Sequence, residues 1–147
     1  MKDLDWSNLS FGYRQTDYNV RCYYRDGKWG EIEVCSDEYL KLHMAATCLH
    51  YGQEAFEGLK AYRCPDGKVR VFRMDENAAR LQSTCRGILM PEVPTELFEE
   101  MVKKVVRLNQ EWISTYESGA TLYIRPLLIG TSPQVGVHPS KEYCFLI

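Results

Sequence analysis

One alternating run near the end of the chain, Thr121-Leu122-Tyr123-Ile124-Arg125-Pro126, limits the local fold more than any other stretch. Side chains that alternate apolar and polar carry the two-residue period of a strand, so Tyr123 and Arg125 should share one face. The run ends on a proline, and the Gly-Pro loop Gly130-Thr131-Ser132-Pro133-Gln134-Val135-Gly136-Val137 follows it. A phenol beside a guanidinium suits a carboxylate, because the arginine fork can pair both oxygens. Spacing alone also fits a surface arginine at a strand end.

At 147 residues the chain fits one domain and can bury a real core. Eighteen basic residues stand against twenty acidic ones, for a net charge of -2. That balance excludes the basic excess expected of a nucleic-acid binder, and it argues against an electrostatic membrane anchor. No apolar run approaches the length of a membrane span. The six cysteines, Cys22, Cys35, Cys48, Cys64, Cys85 and Cys144, are scattered. They include no C-x-x-C pair and no histidine cluster, so no metal site is expected. The opening Met1-Lys2-Asp3-Leu4-Asp5-Trp6 lacks an apolar signal region, which points to reduced thiols in a cytoplasm.

Residues 21–34 read as a hairpin turning at Asp26-Gly27. Residues 49–56 read as a short helix closed by Gly58. A second hairpin runs from Leu59 through Pro65-Asp66-Gly67 into Val69-Arg70-Val71-Phe72. Asp75 is the expected N-cap of a helix through Arg86, with Ala78, Leu81, Cys85 and Ile88 at helical spacing. The longest helix is expected over 95–112, with Phe98, Met101, Val102, Val105, Leu108 and Trp112 as its stripe. Two strands follow, at 121–128 and 142–147. The ending Cys144-Phe145-Leu146-Ile147 has no turn, cap or polar tail, and it reads as a chain cut in mid-domain or at a domain boundary. The order of elements predicts an α+β fold: a two-layer sandwich of one mainly antiparallel sheet with flanking helices.

Four stretches together resemble the branched-chain amino-acid aminotransferases, whose fold is the D-amino-acid-aminotransferase-like one (fold type IV of the pyridoxal-phosphate enzymes). They are L-H-Y-G-Q-E-A-F-E-G-L-K-A-Y at 49–62, N-A-A-R-L at 77–81, L-Y-I-R-P at 122–126 and S-P-Q-V-G-V at 132–137. Their order and spacing cover essentially the whole chain. The resemblance implies exchange of an amino group between leucine, isoleucine or valine and 2-oxoglutarate. Pyridoxal 5'-phosphate is the implied cofactor and electron sink. It is expected on the full-length enzyme and not on these residues alone. The implied partners are branched-chain amino acids, 2-oxo acids and a second copy in a homodimer.

The resemblance also assigns residues. Arg80 matches the arginine that holds the cofactor phosphate, a role that suits a charged fork. On an amphipathic helix it also fits a snorkelling arginine. Tyr123 and Arg125 match the pair that binds the substrate carboxylate, notably the distal one of glutamate. Phe56 matches a residue of the subunit's own pocket, and Phe11 matches another aromatic pocket wall. Tyr51 matches a residue that reaches the neighbouring pocket, and Val135 and Val137 match loop contacts that enter it. An apolar wall is what a branched aliphatic side chain requires. Plain core packing is the other fate open to these aromatics.

The family's Schiff-base lysine is expected outside this chain, on the large domain. Lys2, Lys28, Lys41, Lys60, Lys68, Lys103, Lys104 and Lys141 do not occupy its motif, and Lys60 reads as a solvated strand lysine. Residues 1–147 therefore resemble the N-terminal small domain, including the start of the interdomain connection near 129–147. No catalytic residue is assigned within them. A D-amino-acid aminotransferase or an aminodeoxychorismate lyase shares the phosphate arginine, so Arg80 does not separate them. The L-Y-I-R-P and S-P-Q-V-G-V segments favour the branched-chain family. A non-catalytic dimerisation domain would lack the lysine too, but it would have no need of the full set of pocket residues.

Overall fold

The structure is a computed structural model describing residues 1–147. The chain opens its first sheet with β1 (Asn19–Arg25), β2 (Lys28–Trp29) and β3 (Glu33–Cys35). The expected hairpin is present. Asp26 and Gly27 both take positive φ, 51° and 77°, as a two-residue turn matched to strand twist requires. β3 returns to pair with the other end of β1.

The short helix lies elsewhere than expected. α1 covers Thr47–Tyr51 and stops at Gly52, which adopts φ 60° and donates its N–H to the Cys48 carbonyl at 3.2 Å. Residues 54–56 are not helical. They form β4 (Glu54–Phe56), followed by β5 (Leu59–Arg63) and β6 (Val69–Val71), the second of the expected hairpins. Gly52, and not Gly58, is the glycine that ends the helix, because it is the one that takes the left-handed conformation.

α2 (Met74–Gly87) begins one residue before Asp75. Arg73, in the left-handed region at φ 47°, precedes it, and Asp75 and Glu76 sit in the first turn. Asp75 is thus not the N-cap, although its charge faces the positive end of the helix dipole. α3 (Thr95–Leu108) buries Phe98, Met101, Val102, Val105 and Val106. It breaks at Asn109 into a 3-10 turn, Gln110–Trp112, so it is no longer than α2: each has 14 residues. A second 3-10 turn covers Tyr116–Ser118.

The expected strand over 121–128 is two strands in two sheets, β7 (Leu122–Ile124) and β8 (Leu127–Gly130). Together with β9 (Tyr143–Leu146), they replace the single expected sheet by a pair. The larger has six strands, in the order β2-β1-β9-β8-β4 with β3 beside β1; the smaller runs β6-β5-β7. Every pairing is antiparallel. α2 and α3 pack on one another and on β4 and β1, and Phe98 stacks on Phe145 at 6.0 Å between centroids. The α+β expectation therefore holds, with antiparallel sheets and few helices.

Two chain crossings join the sheets, and they lie side by side. β4 passes to β5 through Glu57-Gly58, and β7 passes to β8 through Arg125-Pro126. The ladders on either side keep one register: Phe56 opposes Leu127, and Leu59 opposes Ile124. Glu57 therefore falls opposite Pro126 and Gly58 opposite Arg125. The Glu57 N–H donates to the Pro126 carbonyl at 2.9 Å. Pro126, which has no N–H of its own, is buried at the bend.

Candidate functional site

Alternation through the crossing sorts the side chains. Ala55, Glu57, Leu59, Ile124, Pro126 and Leu128 point inward and are buried. Phe56, Gly58, Tyr123 and Arg125 take the other face, because opposed residues of an antiparallel pair point the same way. Four of the candidate residues meet there. Arg125 Nε donates to the Tyr123 hydroxyl at 3.1 Å. The Arg125 guanidinium carbon lies 4.4 Å from the Phe56 ring centroid and 5.3 Å from that of Tyr123. Phe11 meets the Tyr123 ring edge-on at 5.2 Å. The outcome is a cation held on an aromatic floor.

Arg125 enters no ion pair, and Tyr123 takes only its Nε. The two terminal nitrogens remain free to grip a carboxylate end-on. Phe11 and Phe56 are 84% and 60% exposed, far more than core packing would leave them. They offer apolar area that a ligand can remove from water.

Tyr51 and Val135 form a separate pair: the Tyr51 hydroxyl donates to the Val135 carbonyl. The loop that carries Val135 and Val137 is pinned at its base. Gln134 N–H donates to the Ala45 carbonyl at 3.0 Å, Ser140 N–H to Gln53 Oε1 at 3.0 Å, and Lys141 and Glu142 N–H to Ser132 Oγ at 2.8 Å each. Val135 and Val137 stand exposed near its tip.

Arg80 joins neither group. On α2 it points to the crossing from the buried side, donating Nε to Glu57 Oε1 at 2.9 Å and Nη2 to Glu57 Oε2 at 2.7 Å. Asn77, one turn earlier, donates to Glu57 Oε2 at 2.8 Å. The Glu57 side chain is 3% exposed and the Arg80 side chain 68%. Burial by itself raises the Glu57 carboxyl, but Arg80, Asn77 and the Gly58 N–H outweigh it and hold the group below the ordinary carboxylate range. Burial pushes the Cys85 and Cys144 thiols up to about 11, away from the nucleophilic thiolate.

No family model matches the chain. Whole relatives do. The branched-chain-amino-acid aminotransferase of Haemophilus influenzae is 52% identical over all 147 residues, which make up 43% of its own length. That of Helicobacter pylori is 46% identical over the same span, again 43% of its length. The chain is similar to these aminotransferases along all of its own length. It spans about two-fifths of the curated relatives that it matches. The fold agrees: the Escherichia coli branched-chain aminotransferase superposes with TM-score 0.69 at 25% identity, over 90% of this chain and 40% of that one. A second branched-chain aminotransferase, from T.th. and in complex with N-(5'-phosphopyridoxyl)-L-glutamate, gives 0.62 at 25% identity, over 90% and 41%.

Local sequence patterns do not single out Glu57, Gly58 or the polar pins Gln53, Ser132 and Ser140, whose contacts shape this region. Glu57 carries a signal. In the inward series Ala55, Glu57, Leu59, Ala61 it is the one charged member, and a charge at a core-facing position needs a partner. Treating residues 49–56 as a helix hides that alternation.

Proposed function

We propose that residues 1–147 form the small domain of a pyridoxal-phosphate-dependent branched-chain aminotransferase. The whole enzyme moves an amino group between leucine, isoleucine or valine and 2-oxoglutarate. The observation that carries this reading is Arg125, held over the Phe56 ring by Tyr123 with its terminal nitrogens unpaired. Such an enzyme must seat an aliphatic side chain and a carboxylate in the same place. An aromatic floor serves the first and the open fork serves the second. Phe11, edge-on against Tyr123, adds apolar area at one side of that floor.

Arg80 suits the cofactor phosphate. Its guanidinium emerges from the helix mostly exposed, with one edge occupied by Glu57 and Nη1 free to donate to a dianion. When bound, the cofactor supplies the electron sink that the reaction needs. The lysine that works with it belongs to a large domain beyond this stretch. Tyr51, Val135 and Val137 serve the pocket of a second copy, which makes the working enzyme a homodimer. Their exposure on a pinned loop and a short helix supports that role. No helix of the structure is long and apolar enough to cross a membrane. We place the enzyme in a reducing cytoplasm, in keeping with its six unpaired cysteines.

The test is a coupled assay of the purified full-length protein that contains this sequence, loaded with cofactor. Leucine and 2-oxoglutarate should give glutamate, and residues 1–147 alone should give none. Turnover of D-alanine without turnover of leucine would overturn the reading.

A further inference from the structure

Glu57 has no part in the reading above, yet it touches both halves of the site. Its side chain holds Arg80, and its backbone holds the crossing that carries Arg125. The carboxylate is buried and receives three side-chain donors: Arg80 Nε, Arg80 Nη2 and Asn77 Nδ2. A buried carboxylate is costly to leave unpaired, so Arg80 cannot swing away from it freely. Engaging Nε and Nη2 together fixes the plane of the guanidinium as well as its position. What remains for an incoming anion is the Nη1 side. On the same residue, the N–H bond to the Pro126 carbonyl at 2.9 Å ties this support to the strand bend beside Arg125.

We propose that Glu57 is a positioning residue for cofactor binding, orienting Arg80 so that its outer edge meets the phosphate. The proposal rests on the reading of Arg80 as the phosphate arginine. The Glu57 charge also opposes a nearby anion, which by itself would favour its removal. Orientation outweighs that repulsion, because an exposed arginine released from its anchor must be reordered on binding. The outer guanidinium edge is solvated, and salt screens the repulsion there.

The experiment titrates the cofactor into the apo form of the full-length protein and follows its absorbance, with melting curves to verify folding. Arg80→Ala, Glu57→Gln and the double variant are compared with the wild type. Glu57→Gln should raise Kd about tenfold, the equivalent of one charge-assisted contact. Arg80→Ala should raise it at least as much. The double variant should be no worse than Arg80→Ala, because Glu57 acts only through Arg80. An unchanged or tighter Kd for Glu57→Gln, with Arg80→Ala weakened, overturns the positioning role alone. Losses that add in the double variant overturn it too. An unchanged Kd for Arg80→Ala overturns the phosphate reading beneath it. If Glu57→Gln does not fold, Asn77→Ala replaces it: it removes one donor to the carboxylate and should raise Kd roughly threefold in the Arg80 background only. No change for Asn77→Ala would then sink the proposal.

Discussion

The Tyr123 hydroxyl occupies space that a side chain at position 58 would need: a Cβ built on Gly58 would lie 2.7 Å from it. Gly58 is required there by close approach and not by backbone angle. Its bareness lets the phenol lie down across the crossing and reach Arg125. In the full-length enzyme, Gly58→Ala should lift the ring and break the Arg125–Tyr123 bond. The ring tip can swing aside, so the loss of stability should stay near about 1 kcal/mol, the low end for overpacking. KM for glutamate should rise more than KM for leucine. Steady-state kinetics with both amino acids would show it, and equal KM values for mutant and wild type would disprove it.

Arg125→Met keeps length and apolar area but removes charge and donors. Glutamate and 2-oxoglutarate should suffer far more than leucine, by about 1.5–3 kcal/mol in kcat/KM. Half-reactions measured by stopped flow separate the two amino acids. Equal losses would mean that Arg125 only holds the strand bend together.

Gly130 is hemmed in on three sides. A Cβ there would collide with Thr47 Oγ1 and stand 2.8 Å from Gln53 Oε1 and 3.1 Å from Ser140 Cβ. Thr47 is fully buried and has no room to retreat. Gly130→Ala should cost about 1–3 kcal/mol. It should also loosen the Gln53–Ser140 contact that pins the valine loop. Urea denaturation reads the first effect, and hydrogen exchange at the Ser140 N–H, which donates to Gln53 Oε1, reads the second. A variant as stable as wild type would contradict the packing described.

Acid should attack the Glu57 pairing. The carboxyl lies below its ordinary value of 4.5 in the folded chain, so the folded state binds its proton less well than the unfolded state. Its contribution to stability is present above the unfolded value and is lost as pH falls through the folded one. The stability gap between wild type and Glu57→Gln should therefore be constant above the ordinary value and narrow as pH falls below it. Denaturation midpoints at several pH values check this, and a gap that stays constant below it would rule it out.

Much of the fold is legible in the sequence because its signals are local. The Asp26-Gly27 turn, the 59–72 hairpin and the apolar stripe of α3 each follow from neighbouring residues alone. The shared face of Tyr123 and Arg125 is legible for the same reason. Two features are not. Residues 54–56 are too few for period two to declare itself, and it is their pairing with β8 that makes them a strand. The split at Pro126 depends on β5 and β4 lying in different sheets, which is a fact of tertiary structure. Glu57 depends on both, so its partnership with Arg80 stays out of reach of a local reading.

The uninterrupted register across the two crossings also bears on how such a pocket can diversify. Between residues 54 and 61 on one side and 122 and 129 on the other, no bulge absorbs a change in length. Deleting or inserting one residue in either segment would invert every side chain beyond that point. Arg125 would turn inward, or Glu57 would turn outward, and the two guanidinium sites would be lost together. Within these two segments such a pocket can therefore change only by exchange of residues in place, and a change of length is tolerable only outside them, as at the valine loop or the hairpin ends.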